Sequence, residues 1–384
     1  ARSPPLGGAL GQRPGPLEVV VMLDPFFWSG RRVLLTGHTG FKGAWLLLWL
    51  QELGSQVWCY ALEPEPAPNL FRQLAAERPS DANGWHHQQG DLADLAAVQQ
   101  LITCCHPEVV LHLAAQPLVR RSYRDPLGTW ATNVQGTLHL LEALKHLEHP
   151  CAVVMITTDK VYQNREWPYG YREPDRLGGH DPYSASKAAA EIAIASWRDS
   201  FCGTAPHQTP HLRIATARAG NVIGGGDWAA DRIVPDAMRA LAAGGPIAVR
   251  NPEATRPWQH VLEPLGGYLR LAEALASDPD PPCEPFNFGP QLESNRPVRE
   301  LVATMLSHWP GEWLDQSDPN APHEAGLLHL QIDKALHRLG WQPRWGYATT
   351  IARTVGWYRA VHKGASPLEC CLADLQAYQS PPFQ

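Results

Sequence analysis

Short apolar runs alternate with longer segments whose apolar residues recur every three or four positions through the first two thirds of the chain. The runs at 32–36, 57–62, 109–113, 152–157 and 212–217 predict buried parallel strands, and the segments at 44–53, 136–147 and 184–197 predict helices between them. Strands that alternate with helices are typical of an α/β fold with a doubly wound parallel sheet. This is the fold class that we predict.

A glycine-rich turn, residues 37–43, lies between the first predicted strand and the first predicted helix. In such a turn Gly37 permits the sharp bend, Gly40 the close approach of a phosphate, and Gly43 the packing of the helix. N–H groups at a helix start bind a pyrophosphate. The sequence therefore predicts a Rossmann-type nucleotide site. The residues we assign to it are Gly37, Thr39, Gly40, Phe41, Lys42, Gly43, Asp91, Leu92, Ala114 and Ala115.

Two details of this site stay open from the sequence. Asp91 is predicted beside the adenine, although an ordinary turn aspartate fits Gly90-Asp91 nearly as well. The acidic residue that usually contacts the ribose is missing, since Ala61 stands at its expected position and the nearest acid is Glu63. No arginine stands there to receive a 2′-phosphate either. We favour NAD over NADP on this basis.

The pattern loosens after residue 220, where three glycines at 224–226 and frequent prolines interrupt helices such as 234–243. Residues 286–289 predict a late strand that returns to the main sheet, and 327–357 predict the closing elements of a smaller C-terminal substrate-binding lobe. We assign 26–222 and 258–290 to the NAD-binding domain, and 223–257 and 291–365 to the lobe. Residues 1–25 are predicted to be disordered, with the functional chain starting near Met22, and 366–384 to be a surface strap or disordered.

Tyr183 and Lys187 form a Tyr-x-x-x-Lys pair on a predicted helix. Residues four apart share a helix face, so the Lys187 ammonium is expected to favour the Tyr183 phenolate and to make it a base near neutral pH. Alone, such a pair is as well explained by a surface tyrosine and an exposed lysine. Together with the glycine turn and Thr158 on the preceding strand, it predicts a triad that moves a hydroxyl proton while hydride leaves the same carbon.

Charge and cysteine content exclude several other classes. Thirty-two basic against 38 acidic residues give a formal charge of −6, which offers no general attraction for nucleic acid or an anionic membrane. No apolar stretch approaches the roughly 20 residues of a membrane span. The eight cysteines are scattered without a metal-type array, so we predict reduced thiols, a cytoplasmic protein and no metal.

Several longer motifs resemble those of a known protein family. The stretches at 36–43, 112–120, 157–160, 178–183, 217–228 and 256–261 resemble the extended short-chain dehydrogenases/reductases, and within them the nucleotide-sugar 4,6-dehydratases. The likeness covers the chain from about Phe26 to Tyr358. The general superfamily motifs are moderately specific, whereas Thr158-Asp159-Lys160 and the Gly-Gly-Gly-Asp-Trp stretch at 224–228 narrow the subgroup.

The resemblance implies bound NAD and an internal oxidation, elimination and reduction of CDP-glucose to a 4-keto-6-deoxy sugar, as in deoxysugar synthesis for lipopolysaccharide O-antigen. Tyr183 would take the O4 proton, Asp159 would donate to the departing C6 hydroxyl, and Lys160 would remove the C5 proton. Many related dehydratases have a glutamate at the position of Lys160, and a free lysine is cationic near neutrality. Lys160 is therefore a base, a cation that stabilises the enolate, or the ion-pair partner of Asp159.

The resemblance also implies substrate and subunit contacts. The planar guanidinium group of arginine can donate to two oxygens of a diphosphate at once. The arginines that fall in or beside the predicted lobe are Arg218, Arg232, Arg250 and Arg256. Asn133 is expected to organise the site near Lys187, or to be a simple helix-interior polar residue. A homodimer through paired helices, one of them carrying Tyr183, is expected. The predicted substrate-binding residues are Gln116, Arg120, Asn221, Arg232, Arg256 and His260, and Gln116 and Asn133 are also assigned to the cofactor.

Two alternatives remain at this stage. A nucleotide-sugar 4-epimerase uses the same tyrosine, lysine and NAD, but it would leave Asp159 and Lys160 without a task. A nucleotide-sensing protein without catalysis could dispense with Tyr183, so the intact triad argues against it.

Overall fold

A computed structural model of the chain describes residues 22–80, 84–205, 208–317 and 326–380. The predicted disordered extension lies outside the described residues up to position 21, as does the end of the predicted tail at 381–384.

Thirteen strands are present in the described part of the chain. They are β1 (Arg32–Thr36), β2 (Gln56–Ala61), β3 (Trp85–Gln89), β4 (Val109–His112), β5 (Cys151–Ile156), β6 (Leu212–Ala219), β7 (Val222–Ile223), β8 (Ile247–Val249), β9 (Thr255–Pro257), β10 (Gln259–His260), β11 (Pro285–Phe288), β12 (Asn295–Pro297) and β13 (Trp313–Asp315). Seven of them form one parallel sheet in the order β11-β6-β5-β4-β1-β2-β3.

This sheet confirms the predicted fold class, including the return of the late strand β11 beside β6. The prediction missed β3, because four of its five residues, from His86 to Gln89, are exposed and polar. An edge strand buries too little surface to produce the continuous apolar run of the inner strands. By contrast, all residues of β4 and β5 are buried.

Helices cover both faces of the sheet. Those in the described residues are α1 (Pro25–Trp28), α2 (Phe41–Glu52), α3 (Leu70–Glu77), α4 (Leu95–Cys105), α5 (Val119–Arg124), α6 (Pro126–Trp130), α7 (Gly136–Leu144), α8 (Pro182–Phe201), α9 (Ile233–Ala242), α10 (Leu262–Ser277), α11 (Val298–His308), α12 (Asp333–Leu339), α13 (Tyr347–His362) and α14 (Pro367–Gln379). A π-helical turn, Ala131–Gln135, joins α6 to α7. Two large hydrophobic clusters fill the space between the helices and the two faces of the sheet.

The strand order reverses at β1, which pairs with β2 on one side and with β4 on the other. Ligands of open α/β sheets bind at the carboxyl ends of the strands beside such a reversal. Three short two-stranded ladders, β10 with β7, β12 with β9, and β13 with β8, build the part of the chain that overhangs this edge. The exact boundaries of the two predicted domains stay a prediction.

The predicted tail was wrong from residue 367 onward, because that segment is a helix packed on the core. Ser366 caps α14 by accepting a hydrogen bond from the Glu369 N–H at 3.1 Å, and Pro367 occupies its first turn. Cys371 is fully buried, and the Tyr378 ring packs edge-on against Trp49. The proline that suggested a strap therefore begins a helix. Among the described residues, no helix combines the length and apolar character needed to cross a bilayer.

Candidate active site

The glycine turn that follows β1 fits a pyrophosphate. Gly37 has φ +77°, and a Cβ on it would lie 2.6 Å from the Ala114 nitrogen. A Cβ on Gly43 would lie 2.1 Å from the Gly37 oxygen, so both positions require glycine. Gly40 precedes α2 and supplies no side-chain cap to its first N–H groups. The helix start therefore presents N–H donors and a positive dipole end to an anion.

The residues assigned to the adenosine half lie around the ends of β2 and β3. Thr39 Oγ1 donates to the Leu62 carbonyl at 3.2 Å, and the Tyr60 hydroxyl donates to the Asp91 carbonyl at 3.0 Å. Leu92 is buried, whereas Asp91 is exposed. The structure thus brings both sides of the predicted nucleotide groove together at one edge of the sheet.

Tyr183, Lys187 and Thr158 also converge at this edge. Asp181 caps α8 by accepting from the Ser184 N–H at 3.0 Å, which directs the first turn, with Tyr183, toward the end of β5. The Thr158 hydroxyl lies close enough to the Tyr183 phenol to affect its pKa. One turn further along α8, Lys187 Nζ donates to the Ile156 carbonyl at 3.0 Å. All three predicted triad residues are buried.

The electrostatics of Tyr183 differ from the prediction. Burial raises the pKa of Tyr183 to about 12, although the Thr158 hydroxyl and the charge of Arg232 act to lower it. Burial also lowers the pKa of Lys187 to about 8, against the opposing influence of Glu191. The expectation of a phenolate near neutral pH was wrong for the protein without a ligand. The reason is that desolvation of the buried phenol outweighs the nearby cations.

Asp159 and Lys160 follow Thr158 in a short 3₁₀ turn, Asp159–Val161. Asp159 is 2% exposed and accepts a hydrogen bond from Thr158 Oγ1 at 3.0 Å. Lys160 Nζ lies 3.7 Å from Asp159 Oδ1, and its side chain is 31% exposed. The ion pair with Asp159, one of the three predicted roles of Lys160, is therefore present. A Cβ on Gly220 would lie 2.7 Å from Asp159 Oδ2, which places the adjacent Asn221 beside this carboxylate.

Sequence reasoning assigned Lys42 to the cofactor but missed where its side chain lies. Lys42 Nζ donates to the Tyr268 hydroxyl on α10 at 2.7 Å. Burial, together with the charges of Lys187 and Arg232, lowers the pKa of Lys42 to about 7. The amine therefore lies in the catalytic centre between the helix start and Tyr183. Tyr268 carries no sequence signal, because it belongs to a helix more than two hundred residues away.

A buried carboxylate behind Lys187 was also missed. Glu191 accepts hydrogen bonds from Thr157 at 2.5 Å, Thr216 at 2.9 Å and Arg218 Nη2 at 2.7 Å. Burial alone would raise the pKa of Glu191, but Arg218 and the hydroxyls hold it below its usual value. Arg218 is thus a buried core residue of β6 whose guanidinium is engaged by Glu191, so it is not available to a diphosphate. Glu191 stands four residues after Lys187, a spacing that shares the helix face but does not by itself reveal the partners on β5 and β6.

Asn133 lies in the π-helical turn, a feature that often marks functional sites. Its Oδ1 accepts from the Gln116 N–H at 2.8 Å, and its Nδ2 donates to the Ser186 hydroxyl at 2.9 Å. The Gln116 side chain donates from Nε2 to the Thr129 hydroxyl and accepts at Oε1 from the Leu118 N–H. Asn133 therefore ties the loop after β4 to the residue that precedes Lys187.

Arginines from both sides of the cleft meet near the start of α9. Arg232 Nη1 lies 2.9 Å from Asp227 Oδ2, and its charge acts on Tyr183. Asp231 Oδ1 lies 2.7 Å from Arg250 Nη1 and 3.5 Å from Nη1 of Arg120 on α5, so it bridges the two arginines. Two of the predicted substrate ligands, Arg120 and Arg232, are therefore brought to one region, with Arg250 beside them.

The two remaining substrate candidates are placed differently. Arg256 on β9 directly precedes Pro257, whose ring lies 3.5 Å from the Cβ position of Gly220. His260 has no exposed surface and packs edge-on against Trp45 and Trp345. The structure does not bring His260 to the cleft, because β10 turns this side chain into the core.

Comparison with known proteins agrees with the fold and with the family resemblance. The family model described as "NAD dependent epimerase/dehydratase family" matches residues 33–289. The chain is 45% identical over 361 residues to a CDP-glucose 4,6-dehydratase of Salmonella typhimurium, covering 94% of this chain and 99% of that protein. It is 30% identical to a dTDP-glucose 4,6-dehydratase of Streptomyces antibioticus, over 88% of this chain and 95% of that protein.

Solved structures share the fold at lower identity. A dTDP-glucose 4,6-dehydratase of Bacillus anthracis in complex with NAD gives a TM-score of 0.72 at 18% identity, covering 88% of this chain and 100% of that chain. A dTDP-glucose 4,6-dehydratase of Streptomyces venezuelae with NAD and TYD bound gives a TM-score of 0.72 at 24% identity, covering 88% of this chain and 99% of that chain. The matched residues contain both the glycine turn and Tyr183-x-x-x-Lys187, which confirms the predicted NAD cofactor at the level of the family. The chain belongs to the NAD dependent epimerase/dehydratase family.

Proposed function

We propose that the protein is a hydro-lyase that converts CDP-glucose to CDP-4-keto-6-deoxyglucose and water. The observation that carries this proposal is the Thr158-Asp159-Lys160 turn, which adds the buried Asp159 carboxyl group near Tyr183 and the partly exposed Lys160 amine next to that carboxyl group. The near full-length similarity to a CDP-glucose 4,6-dehydratase supports the choice of substrate. Oxidation and reduction alone would need only the triad, whereas removal of water needs a second proton donor and acceptor.

Bound NAD would supply a hydride acceptor at the sugar C4 and a hydride donor at C6. The start of α2 and Thr39 would hold its phosphates and adenosine half, with Lys42 and Lys187 toward the nicotinamide half. Tyr183, with Thr158 beside it, would take the O4 proton directly. A positive charge beside the buried phenol would lower its raised pKa, so we propose that proton transfer requires the assembled complex.

Asp159 would then donate a proton to the C6 hydroxyl as it leaves. Its burial and its hydrogen bond from Thr158 fix the carboxyl group beside the tyrosine. Lys160 would remove the C5 proton, which the 4-ketone makes acidic, or stay cationic and stabilise the enolate oxygen. As a base Lys160 would have to be neutral, and as the acid Asp159 would have to carry a proton, so transfer between them would require the pair to close from 3.7 Å to hydrogen-bond distance.

Arg120, Arg232 and Arg250 would bind the diphosphate, with Asn221 and Arg256 toward the sugar. Planar guanidinium groups match phosphate oxygens in pairs. Asp231 and Asp227 hold these groups in place before a ligand arrives. Phosphates would replace the exposed Asp231 as the partner of Arg120 and Arg250.

We also propose a cytoplasmic homodimer that acts in deoxysugar synthesis, such as that of lipopolysaccharide O-antigen. Support for the dimer comes from an apolar surface formed by α6 and α8, on which Leu127, Ile192 and Trp130 are 84%, 61% and 41% exposed. Large apolar side chains grouped on one face mark interaction sites. Because α8 also carries Tyr183, subunit contact would stabilise the catalytic helix.

The test is to incubate the purified protein with NAD and CDP-glucose and to follow the 4-keto chromophore in alkali. Mass spectrometry should show a product that is lighter by one water. Parallel reactions with dTDP-, GDP- and UDP-glucose test the choice of base. Recovery of an isomeric sugar without a keto product would instead indicate a 4-epimerase, and binding without turnover would indicate a nucleotide sensor.

A further inference from the structure

The carboxyl end of β2 carries an ion pair that lies beside the glycine turn. Arg72 Nη2 lies 2.6 Å from Glu63 Oε1 and donates to the Pro64 carbonyl at 3.1 Å. Arg72 Nε donates to the Glu65 carbonyl at 3.4 Å. The backbone N–H of Arg72 donates to Asn69, the N-cap of α3, at 3.0 Å. The loop between β2 and α3 thus wraps around one guanidinium group.

Two further hydrogen bonds attach this loop to the nucleotide site. Asn69 Nδ2 donates to the Thr39 carbonyl at 3.3 Å, and Thr39 Oγ1 donates to the Leu62 carbonyl at 3.2 Å. Leu62 directly precedes Glu63. In Rossmann-type folds this is where the adenosine ribose lies, and an acid there accepts from the 2′-hydroxyl whereas an arginine receives a 2′-phosphate. Here both kinds of residue are present and bound to each other.

The sequence has no arginine at the end of β2, as predicted, but the structure brings one there from α3. Arg72 lies nine residues beyond Glu63 along the chain and reaches back across the loop. The side chains of Glu63 and Arg72 are 58% and 45% exposed. Ion pairs so exposed contribute little to stability, because water screens them. A role toward a ligand explains their placement better than a role in folding.

We propose that Glu63 and Arg72 together select NAD over NADP. Glu63 accepts a hydrogen bond from the ribose 2′-hydroxyl, and its charge repels a 2′-phosphate. It also engages the Arg72 guanidinium, which would otherwise be available to that phosphate. The selectivity is thus a property of the pair, with Arg72 held as a phosphate ligand that Glu63 keeps occupied.

The test measures binding and needs no sugar substrate. NADH and NADPH are titrated against the protein while energy transfer from tryptophan to the reduced nicotinamide is followed. Wild-type protein should prefer NADH. In Glu63→Ser the ratio of NADPH to NADH affinity should rise by roughly tenfold or more. The reason is that Arg72 becomes free to pair with the 2′-phosphate, which the Glu63 carboxylate repels in the wild type. The matched control is Glu65→Ser, which removes a neighbouring exposed carboxylate and should leave the ratio unchanged.

A second variant separates the two residues. Adding Arg72→Ala to Glu63→Ser should abolish the gain in NADPH affinity while NADH still binds. A ratio that moves less than about twofold in Glu63→Ser, or a gain that survives loss of Arg72, overturns the proposal. Because both measurements concern the cofactor alone, failure here leaves the proposed reaction on CDP-glucose untouched, and failure of that reaction leaves this selectivity testable.

Discussion

The catalytic edge of the sheet and the arginine region above it are built in opposite ways. Around Tyr183, every group of the triad is buried, Lys187 is hydrogen-bonded to the end of β5, and Glu191 behind it is bonded to residues of β6 and of the turn after β5. Around Asp231, the arginines come from α5 and from the overhanging lobe, and their ion pairs are exposed to water. Buried groups are fixed and have shifted pKa values, whereas exposed ion pairs exchange partners easily. The proposed proton transfer thus lies on a rigid support, and the proposed recognition of the diphosphate lies on an adaptable one.

The largest effect should come from the buried side of this comparison. We expect Tyr183→Phe to reduce kcat by roughly 10²-fold or more, because the proton acceptor for O4 is lost while the fold keeps its shape. Nucleotide sugar should still bind, since the arginines are untouched. Single-turnover kinetics and calorimetric binding check both points. Tyr123→Phe on the exposed face of α5 is the matched control, and equal activities of the two variants would mean that another residue takes the proton.

A second variant tests the support of Lys187. Glu191 raises the pKa of Lys187, which burial has lowered to about 8. Lys187 acts as a cation, so activity is lost as pH rises through its pKa. In Glu191→Gln that pKa falls further, and the alkaline limb of the kcat profile should move to lower pH by about one unit, with roughly fivefold less activity at pH 8.

The control for this variant is Glu142→Gln, which removes an exposed carboxylate paired with Lys145 on α7. Its pH profile should match that of the wild type. A uniform loss of activity in Glu191→Gln without any movement of the alkaline limb would assign Glu191 a purely structural role.

On the exposed side we expect a smaller effect of another kind. Arg250→Gln should raise KM for CDP-glucose by about fivefold to tenfold and leave kcat unchanged, because the diphosphate contact is the same in the ground state and the transition state. The increase in KM should be smaller in high salt, because salt screens the attraction between exposed charges in the wild type as well. Arg299→Gln, which removes another exposed guanidinium of the lobe, is the control. A fall in kcat would show that Arg250 belongs to the rigid group.

The smallest effect should be on stability alone. Tyr378 of α14 donates to the buried Glu263 carboxylate at 2.8 Å. Tyr378→Phe should lower the free energy of unfolding by about 1–2 kcal/mol, since a buried acceptor loses one donor, and should leave kcat and KM unchanged. Urea denaturation measures the difference, with the exposed Tyr169→Phe as control. Lost activity would connect the last helix to the catalytic edge.

Much of the molecule was predictable because its signals are local. The apolar runs of β1, β2, β4, β5 and β6 predicted the sheet, and the glycine turn with Tyr183-x-x-x-Lys187 predicted a nucleotide-dependent oxidation. In each case the physical requirement acts within a few residues, such as room for a phosphate at Gly40 or one helix face shared by a tyrosine and a lysine. The mistakes at β3 and α14 came from elements whose burial depends on partners elsewhere in the chain.

The sequence by itself determined the alternation of inner strands and helices, the position of the glycine turn and the candidate residues for proton transfer. Only the tertiary structure decided their surroundings: the contact of Lys42 with Tyr268, the support of Lys187 by Glu191, and the return of Arg72 to Glu63. Burial and charge are set by side chains that are distant in sequence, and they raised the pKa of Tyr183 where the local pattern predicted the reverse. Residue types thus specify which reactions are available, and packing decides the protonation state in which each titratable side chain begins.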